Sequence, residues 1–189
     1  MRRIATVRDL CNLAVYVNAG NDCAGMTFEL VDDIDLSTVK NFTPIKYFCG
    51  TFDGGGHTIG NLRINSSDNG AGLFGFVNES GAIKNVKLSK INVGGGDNVG
   101  GLAGSNSGTI SNCAANGTVG GKNNIGGFVG LNFNAIQYCL TSGTVSGKNN
   151  IGGFVGLNFS TIQNCTASGT VCGVELVGDF VGINNGCIG

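Results

Sequence analysis

Charged residues, proline, histidine and tryptophan are all scarce in this chain. Its 189 residues include 11 Lys and Arg, 12 Asp and Glu, one histidine, one proline and no tryptophan. Because the charges are few and nearly balanced, the sequence lacks the basic footprint that nucleic acids or anionic membranes require. A single proline among 35 glycines excludes collagen, and a hydrophobic fraction of 41% argues against disorder. We therefore expect a globular domain with no nucleic-acid partner.

The shortage of histidine excludes most catalytic and metal sites built on that residue. His57 is the only one. It could pair with Asp53 as a general base, or residues 53–57 could form a tight turn in which Asp and Gly supply the geometry. The three aspartates of segment 32–35 could bind calcium, but they alternate as in a strand and lack EF-hand spacing. We predict no metal and no cofactor.

Acidic residues are absent from the C-terminal half over 99–173, where Lys122 and Lys148 are the only charged residues. Polysaccharide-cleaving enzymes commonly use a pair of carboxylates, so no such site can lie on these repeats. A glycan-cleaving site could lie only in the N-terminal part. It would comprise Asp53, His57 and Arg63.

What the chain does contain is a repeat of 26 residues. Four segments align without a gap: 101–106, 127–132, 153–158 and 179–184. Such a repeat is one structural unit stacked on copies of itself. Each unit has three short strand candidates, at least five glycines and no stretch long enough for a helix. These features predict a parallel β-helix with one coil per repeat.

Residues 26 apart should stack as ladders, since the period is a whole number of residues. Ladders predicted to line the core are Ile110, Ile136 and Ile162; Val119, Val145 and Val171; and Leu102, Phe128, Phe154 and Phe180. A polar ladder of hydrogen-bonded amides is predicted at Asn106, Asn132, Asn158 and Asn184. Phe133 and Phe159, which follow two of these asparagines, could pack at a corner or form an exposed aromatic stripe that stacks on sugars.

Three of the eight cysteines, Cys113, Cys139 and Cys165, occupy one repeat position. Stacked side chains point the same way, which disfavours a metal site with converging thiolates and bridges between coils. We expect small, buried, reduced thiols. The sequence leaves open the state of the other five: Cys11, Cys23, Cys49, Cys172 and Cys187. A bridge between Cys11 and Cys23 is compatible with export.

Residues 6–19 are predicted to form the only helix, with a capping-box pattern at Thr6 and Asp9 and a stop at Gly20. The helix is amphipathic, so it should cap the N-terminal end of the core. We expect one domain over 1–189, with a helical cap (1–25), irregular coils (26–71), a degenerate repeat (72–100), three full repeats (101–178) and a truncated repeat (179–189).

The unit formed by 152–158, 162–165 and 168–171 resembles the GLUG motif, a repeat of large bacterial surface proteins. These include adhesin-like proteins and the non-catalytic part of some IgA-cleaving metallopeptidases. The front half, at 31–36, 42–45 and 50–59, is similar to the segment that often precedes those repeats. The resemblance implies a stalk or presentation module, and the zinc motif of the metallopeptidases is absent.

Together these patterns predict an all-β protein: a single-stranded, right-handed parallel β-helix of about six coils. The predicted function is a non-catalytic structural or adhesive module of a bacterial surface or extracellular protein. A self-assembling fibre subunit and a polysaccharide-degrading enzyme are the alternatives. Possible partners are further copies at the coil ends and a host or matrix glycan or protein. No apolar run reaches membrane-spanning length, and export would need a leader that is not present in this chain.

Overall fold

The computed structural model describes residues 1–189 and contains one helix and 24 strands. The helix is α1 (Val7–Asn18). The strands of the N-terminal half are β1 (Arg2–Ile4), β2 (Thr27–Leu30), β3 (Ile34–Asp35), β4 (Thr51–Asp53), β5 (Thr58–Gly60), β6 (Arg63–Asn65), β7 (Phe74–Val77), β8 (Ala82–Lys84), β9 (Lys87–Gly94) and β10 (Val99–Gly100). Those of the C-terminal half are β11 (Ala103–Asn106), β12 (Thr109–Ser111), β13 (Ala114–Gly120), β14 (Asn123–Gly126), β15 (Val129–Asn132), β16 (Ile136–Gln137), β17 (Leu140–Ser146), β18 (Asn149–Gly152), β19 (Val155–Asn158), β20 (Thr161–Gln163), β21 (Thr166–Cys172), β22 (Glu175–Gly178), β23 (Val181–Asn184) and β24 (Cys187–Ile188).

Four parallel sheets wind these strands into a β-helix of about seven turns, one more than predicted. Sheet A is β1-β2-β4-β8-β12-β16-β20-β24 and sheet B is β3-β5-β9-β13-β17-β21, with β6 also paired to β9. Sheet C is β7-β11-β15-β19-β23 and sheet D is β10-β14-β18-β22. The predicted all-β parallel β-helix with one N-terminal helix is therefore confirmed.

The register of the sheets follows the sequence period. Ile110 pairs with Ile136, which in turn pairs with Ile162. In the same way Val145 lies between Val119 and Val171. Each coil therefore places identical residues over one another, about 4.8 Å apart.

Regular coils have four strands, whereas three were predicted. The additional strands are β14, β18 and β22, of which β14 and β18 lie in segments rich in Asn and Gly that resemble turns in sequence. With β10 they form sheet D, which packs closely against sheet C. A Cβ on Gly130 would lie 2.5 Å from the backbone nitrogen of Val99, so this approach requires glycine.

A continuous core of 43 buried residues fills the stack. In the regular coils the ring of Phe154 lies between those of Phe128 and Phe180, with centroids 4.9 and 5.0 Å away. Helix α1 closes the N-terminal end with four buried apolar residues: Leu10, Leu13, Ala14 and Val17. Its start matches the predicted capping box, since the Thr6 side chain accepts from the Asp9 N–H and the Asp9 carboxylate accepts from the Thr6 N–H.

Candidate functional site

A ladder of asparagine amides runs through sheet C. Asn106 Nδ2 donates to Asn132 Oδ1 at 2.9 Å, and Asn132 Nδ2 donates to Asn158 Oδ1 at 2.8 Å. Asn158 continues the ladder to Asn184 at 2.7 Å. The first three asparagines are fully buried, and Asn184 is exposed in the last coil. These hydrogen bonds satisfy the amides buried in the core, so the amides are not free to bind a ligand.

The asparagine ladder is incomplete at its N-terminal end, at Asn106. In the preceding coil Val77 occupies the position in register with Asn106 and offers no side-chain donor. Asn106 Oδ1 is therefore the one buried side-chain polar atom without a hydrogen-bond partner. The ladder begins at this residue because the asparagine pattern begins there.

The cysteine ladder forms a second set of contacts between coils. The N–H of Cys113 donates to Cys139 Sγ, and the N–H of Cys139 donates to Cys165 Sγ, both at 3.4 Å. Each thiol in turn donates to the carbonyl two residues earlier, as Cys139 does to Gln137 at 3.1 Å. The thiols are therefore hydrogen-bonding groups as well as small buried side chains.

The neighbouring thiol side chains and burial hold two of these thiols in their protonated form. The Cys113 side chain and burial raise the pKa of Cys139 to about 12, although the Cys165 side chain and the Cys113 N–H lower it. The Cys139 side chain, followed by burial, raises the pKa of Cys165 strongly, although the Cys139 N–H lowers it. Neither group is suited to nucleophilic chemistry, which requires a thiolate.

All eight cysteines are free in the structure. Cys11, for which a bridge to Cys23 was considered, is half-buried on α1 with a pKa raised by burial. Cys23 is buried, and burial likewise raises its pKa. Cys172 and Cys187 are exposed in the last coil, and Cys49 is half-buried.

Phe133 and Phe159 form an exposed aromatic pair. The two residues are 49% and 45% exposed, and their rings stack with centroids 5.3 Å apart at an interplanar angle of 4°. Each ring therefore covers one face of the other. A sugar could stack only on the outer face of either ring, next to the positions of Ser107 and Asn185 in the flanking coils.

Asp53 and His57, which were considered for catalysis, form hydrogen bonds and ion pairs within the N-terminal coils. Residues 53–57 form the turn, in which the His57 N–H donates to the Gly54 carbonyl and the Gly55 N–H to Asp53. The pairing of His57 with Asp53 is wrong: His57 Nδ1 lies 3.5 Å from Asp33, across the neighbouring coil.

Asp53 instead bonds Lys84 at 3.1 Å and Asn85 at 2.9 Å. Partial burial raises the pKa of Asp53, but these hydrogen bonds and the one from Gly55 outweigh it and hold the pKa below its usual value. An ionised, paired carboxylate is poorly placed to act as a general acid.

The aspartates of segment 32–35 are similarly engaged. The Asp35 carboxylate accepts from Asn61 and Ser37, and these bonds lower its pKa. Asp33 accepts from the Thr58 N–H at 2.7 Å. The structure contains no group of three or more His, Cys, Asp or Glu side chains that converge as metal ligands.

A polar pocket at the edge of sheet B was not identified in the sequence. Lys40, Arg63, Asn65 and Asn92 meet there, although they lie far apart in the chain. Of these only Arg63 was considered, as part of a catalytic site. The pattern contained no signal for the other three, because the irregular N-terminal coils have no fixed period.

No helix of the structure has the length and apolar character needed to cross a membrane.

Comparison with known proteins relates the repeats to a described motif. The family model of the GLUG motif matches residues 95–120 and 147–171. Halomucin of Haloquadratum walsbyi is 37% identical over 108 residues, which cover 49% of this chain and 1% of halomucin. A protein of Evansella cellulosilytica named "Putative Gly-rich membrane protein" is 35% identical over 122 residues, 58% of this chain and 14% of that protein. The chain thus spans a small part of either relative.

A solved structure shares the fold. The crystal structure titled "putative immunoglobulin A1 protease" from Bacteroides ovatus superposes with a TM-score of 0.70 at 19% identity, covering 98% of this chain and 73% of that one. At this identity the likeness concerns the fold alone. The 26-residue register of the coils and the two motif matches together describe a β-helix that carries GLUG repeats.

Proposed function

We propose that this chain is a non-catalytic structural module, a stiff spacer within a bacterial surface or extracellular protein. The observation that carries the proposal is the unbroken stack: one core of 43 buried residues extends from α1 to the last coils. Its buried amides and thiols are consumed in contacts between coils. The carboxylates considered for catalysis and for calcium binding, such as Asp53 and Asp35, are likewise bound to neighbouring side chains. The relatives and the shared fold support a module repeated within a longer protein.

A spacer built this way should change length in steps of one coil. Inserting three further copies of residues 127–152 preserves the register on both sides, because this coil pairs residue for residue with its neighbours. We expect the folded rod to lengthen by about 14 Å, or about 4.8 Å per coil. Small-angle X-ray scattering measures the maximum dimension. An inserted chain that unfolds, or one of unchanged length, would contradict the proposal.

The same role predicts that the purified chain does not cleave polysaccharides. Replacing Asp53 and His57 with Asn should lower stability, since both side chains hold the turn and its neighbours. Release of reducing ends from a polysaccharide panel, abolished in this variant while its circular dichroism is unchanged, would instead establish an enzyme.

An adhesive contribution from the coil surface is supported by the exposed pair Phe133 and Phe159. Replacing both with Ser removes the only aromatic rings exposed on the regular coils apart from Tyr138. We expect binding to glycan-coated surfaces to fall in this variant and to persist in Tyr138→Ser. Equal binding by all three proteins would assign the aromatic pair to corner packing.

Self-association is a second candidate, supported by the last coil. In the isolated polypeptide 1–189, the four strands of this coil each have one edge without a partner, and Val174, Leu176, Val177 and Ile188 are exposed. Because α1 covers the opposite end, pairing of two last coils is favoured over head-to-tail stacking. Glu175 and Asp179 oppose such pairing by like charge. Light scattering over a dilution series decides between a concentration-dependent dimer and a monomer.

A further inference from the structure

A shallow cavity of about 280 Å³ opens at the edge of sheet B in the N-terminal coils. Strands β6 and β9 form its floor, where Arg63 pairs in register with Asn92 and Asn65 with Gly94. Lys40, from the loop before β4, closes one side. The cavity thus combines two cations and two amides from three separate segments.

The four polar side chains of the cavity are free to bind. None of them has a side-chain hydrogen bond, and the protein's two ion pairs, His57 with Asp33 and Lys84 with Asp53, involve neither cation. Stacked asparagines elsewhere bond to one another, as Asn124 does to Asn98 at 2.8 Å. The amides of Asn65 and Asn92 have no such partner, because Asn65 lies in register with Gly94 and Asn92 with Arg63 and Thr118.

The charge of the cavity favours an anion. Lys40 and Arg63 line it, and no acidic residue does. A guanidinium presents paired N–H donors that match the two oxygens of a carboxylate. The two amides can donate to or accept from hydroxyl groups beside it.

A row of neutral hydrogen-bonding side chains leads away from the cavity along sheet B. Asn92 is followed in register by Thr118, Thr144 and Thr170, all exposed. Successive side chains in this row are about 4.8 Å apart. The row crosses coils without any acidic residue, so nothing on them repels a polyanion.

We propose that this surface binds an acidic polysaccharide, with the carboxylate of one uronic acid residue in the cavity and the following sugars along the threonine row. The ligand would carry hydroxyl groups throughout, matching the row. A DNA strand fits less well, because the hydroxyl groups of its sugars are tied up in phosphodiester bonds and leave little to match the threonine row. This site is independent of the spacer function.

Isothermal titration with oligogalacturonate tests the proposal, with dextran and a single-stranded DNA oligonucleotide as comparison ligands. We expect oligogalacturonate to bind the native chain, more weakly as NaCl is added, and dextran not to bind. The variant Lys40→Gln/Arg63→Gln should raise the Kd at least about tenfold, or about 1.4 kcal/mol. Arg3→Gln/Arg8→Gln removes the same charge from exposed positions on β1 and α1 and should leave the Kd unchanged.

A second pair of changes tests the row. Thr118→Val/Thr144→Val keeps side-chain shape and strand preference, so it should fold, and it should weaken oligogalacturonate but not monomeric galacturonate. The proposal is overturned if the native chain does not bind oligogalacturonate or if both double Gln variants bind alike. DNA binding equal to that of oligogalacturonate would also overturn it, in favour of a general polyanion site. An unchanged Kd in the threonine variant would remove the row from the site.

Discussion

Replacing Asn132 with Leu tests whether the asparagine ladder stabilises the stack. Asn132 is fully buried and joins Asn106, at 2.9 Å, to Asn158, at 2.8 Å. Leucine has a similar volume but no polar group, so Asn106 would lose its last side-chain partner. Asn158 would remain bonded to the Ser160 N–H.

The expected loss follows from these contacts. Leaving the buried Asn106 amide without partners costs about 1–3 kcal/mol, and the lost bond to Asn158 adds about 1 kcal/mol. The total is about 2–4 kcal/mol. Urea unfolding followed by circular dichroism measures it, with an unchanged m-value showing that the transition itself is unaltered.

Two end positions of the same ladder serve as controls. Asn106→Leu removes the unpaired acceptor Asn106 Oδ1 but leaves Asn132 Oδ1 without its donor, so the number of unpaired buried acceptors stays the same. The free energy of unfolding should therefore fall by only about 1 kcal/mol. Asn184→Leu lies at the exposed end, and Asn158 Nδ2 keeps its bond to the Ser160 carbonyl. Its cost should be below about 1 kcal/mol. Equal losses at all three positions would refute the ladder as the cause.

Three further predictions concern the corners and the thiols. Tyr138 has a φ of 54°, at a position where the adjacent coils have Asn112 and Asn164. Tyr138→Asn should therefore raise the free energy of unfolding in urea by about 0.5–1 kcal/mol, and a lower free energy of unfolding would contradict this. Gly143→Ala should lower the free energy of unfolding by about 3 kcal/mol, because the new Cβ would collide with the Gly117 carbonyl. Gly25 also has a positive φ but has open space around it, so Gly25→Ala should lower that free energy by only about 1 kcal/mol. Equal shifts of the melting temperature in the two variants would show that φ alone matters. The raised pKa of Cys139 stabilises the fold below pH 9.0, and this contribution should be lost as pH rises toward about 12; a Cys139→Ala variant with an equally steep alkaline loss would exclude this thiol as its source.

The sequence was least informative in the N-terminal coils. Partners there are 24 residues apart between Thr27 and Thr51 but 31 apart between Thr51 and Ala82. With no constant spacing, the sequence could not show that Lys40, Arg63, Asn65 and Asn92 meet. For the same reason it left open a pairing of His57 with Asp53, and it could not show that His57 lies beside Asp33 of the adjacent coil.

Sheet D was also missed, for a local reason. Two of its strands, β14 and β18, begin with Asn-Asn pairs whose second members, Asn124 and Asn150, have positive φ. Such residues are typical of turns, and only hydrogen bonds to adjacent coils hold them in strands. Local propensity and tertiary pairing disagree at these positions, and pairing prevails.

By itself the sequence determined the regular coils, because a constant period of 26 residues becomes a constant register when parallel strands stack. Once the period is known, it gives both the positions of the strands and the residues that stack in each ladder. The tertiary structure alone decided the number of turns, the donors and acceptors within each ladder and the cavity at Lys40 and Arg63. Those features depend on the lengths and bends of irregular coils, which arise from packing between distant segments and not from any local pattern.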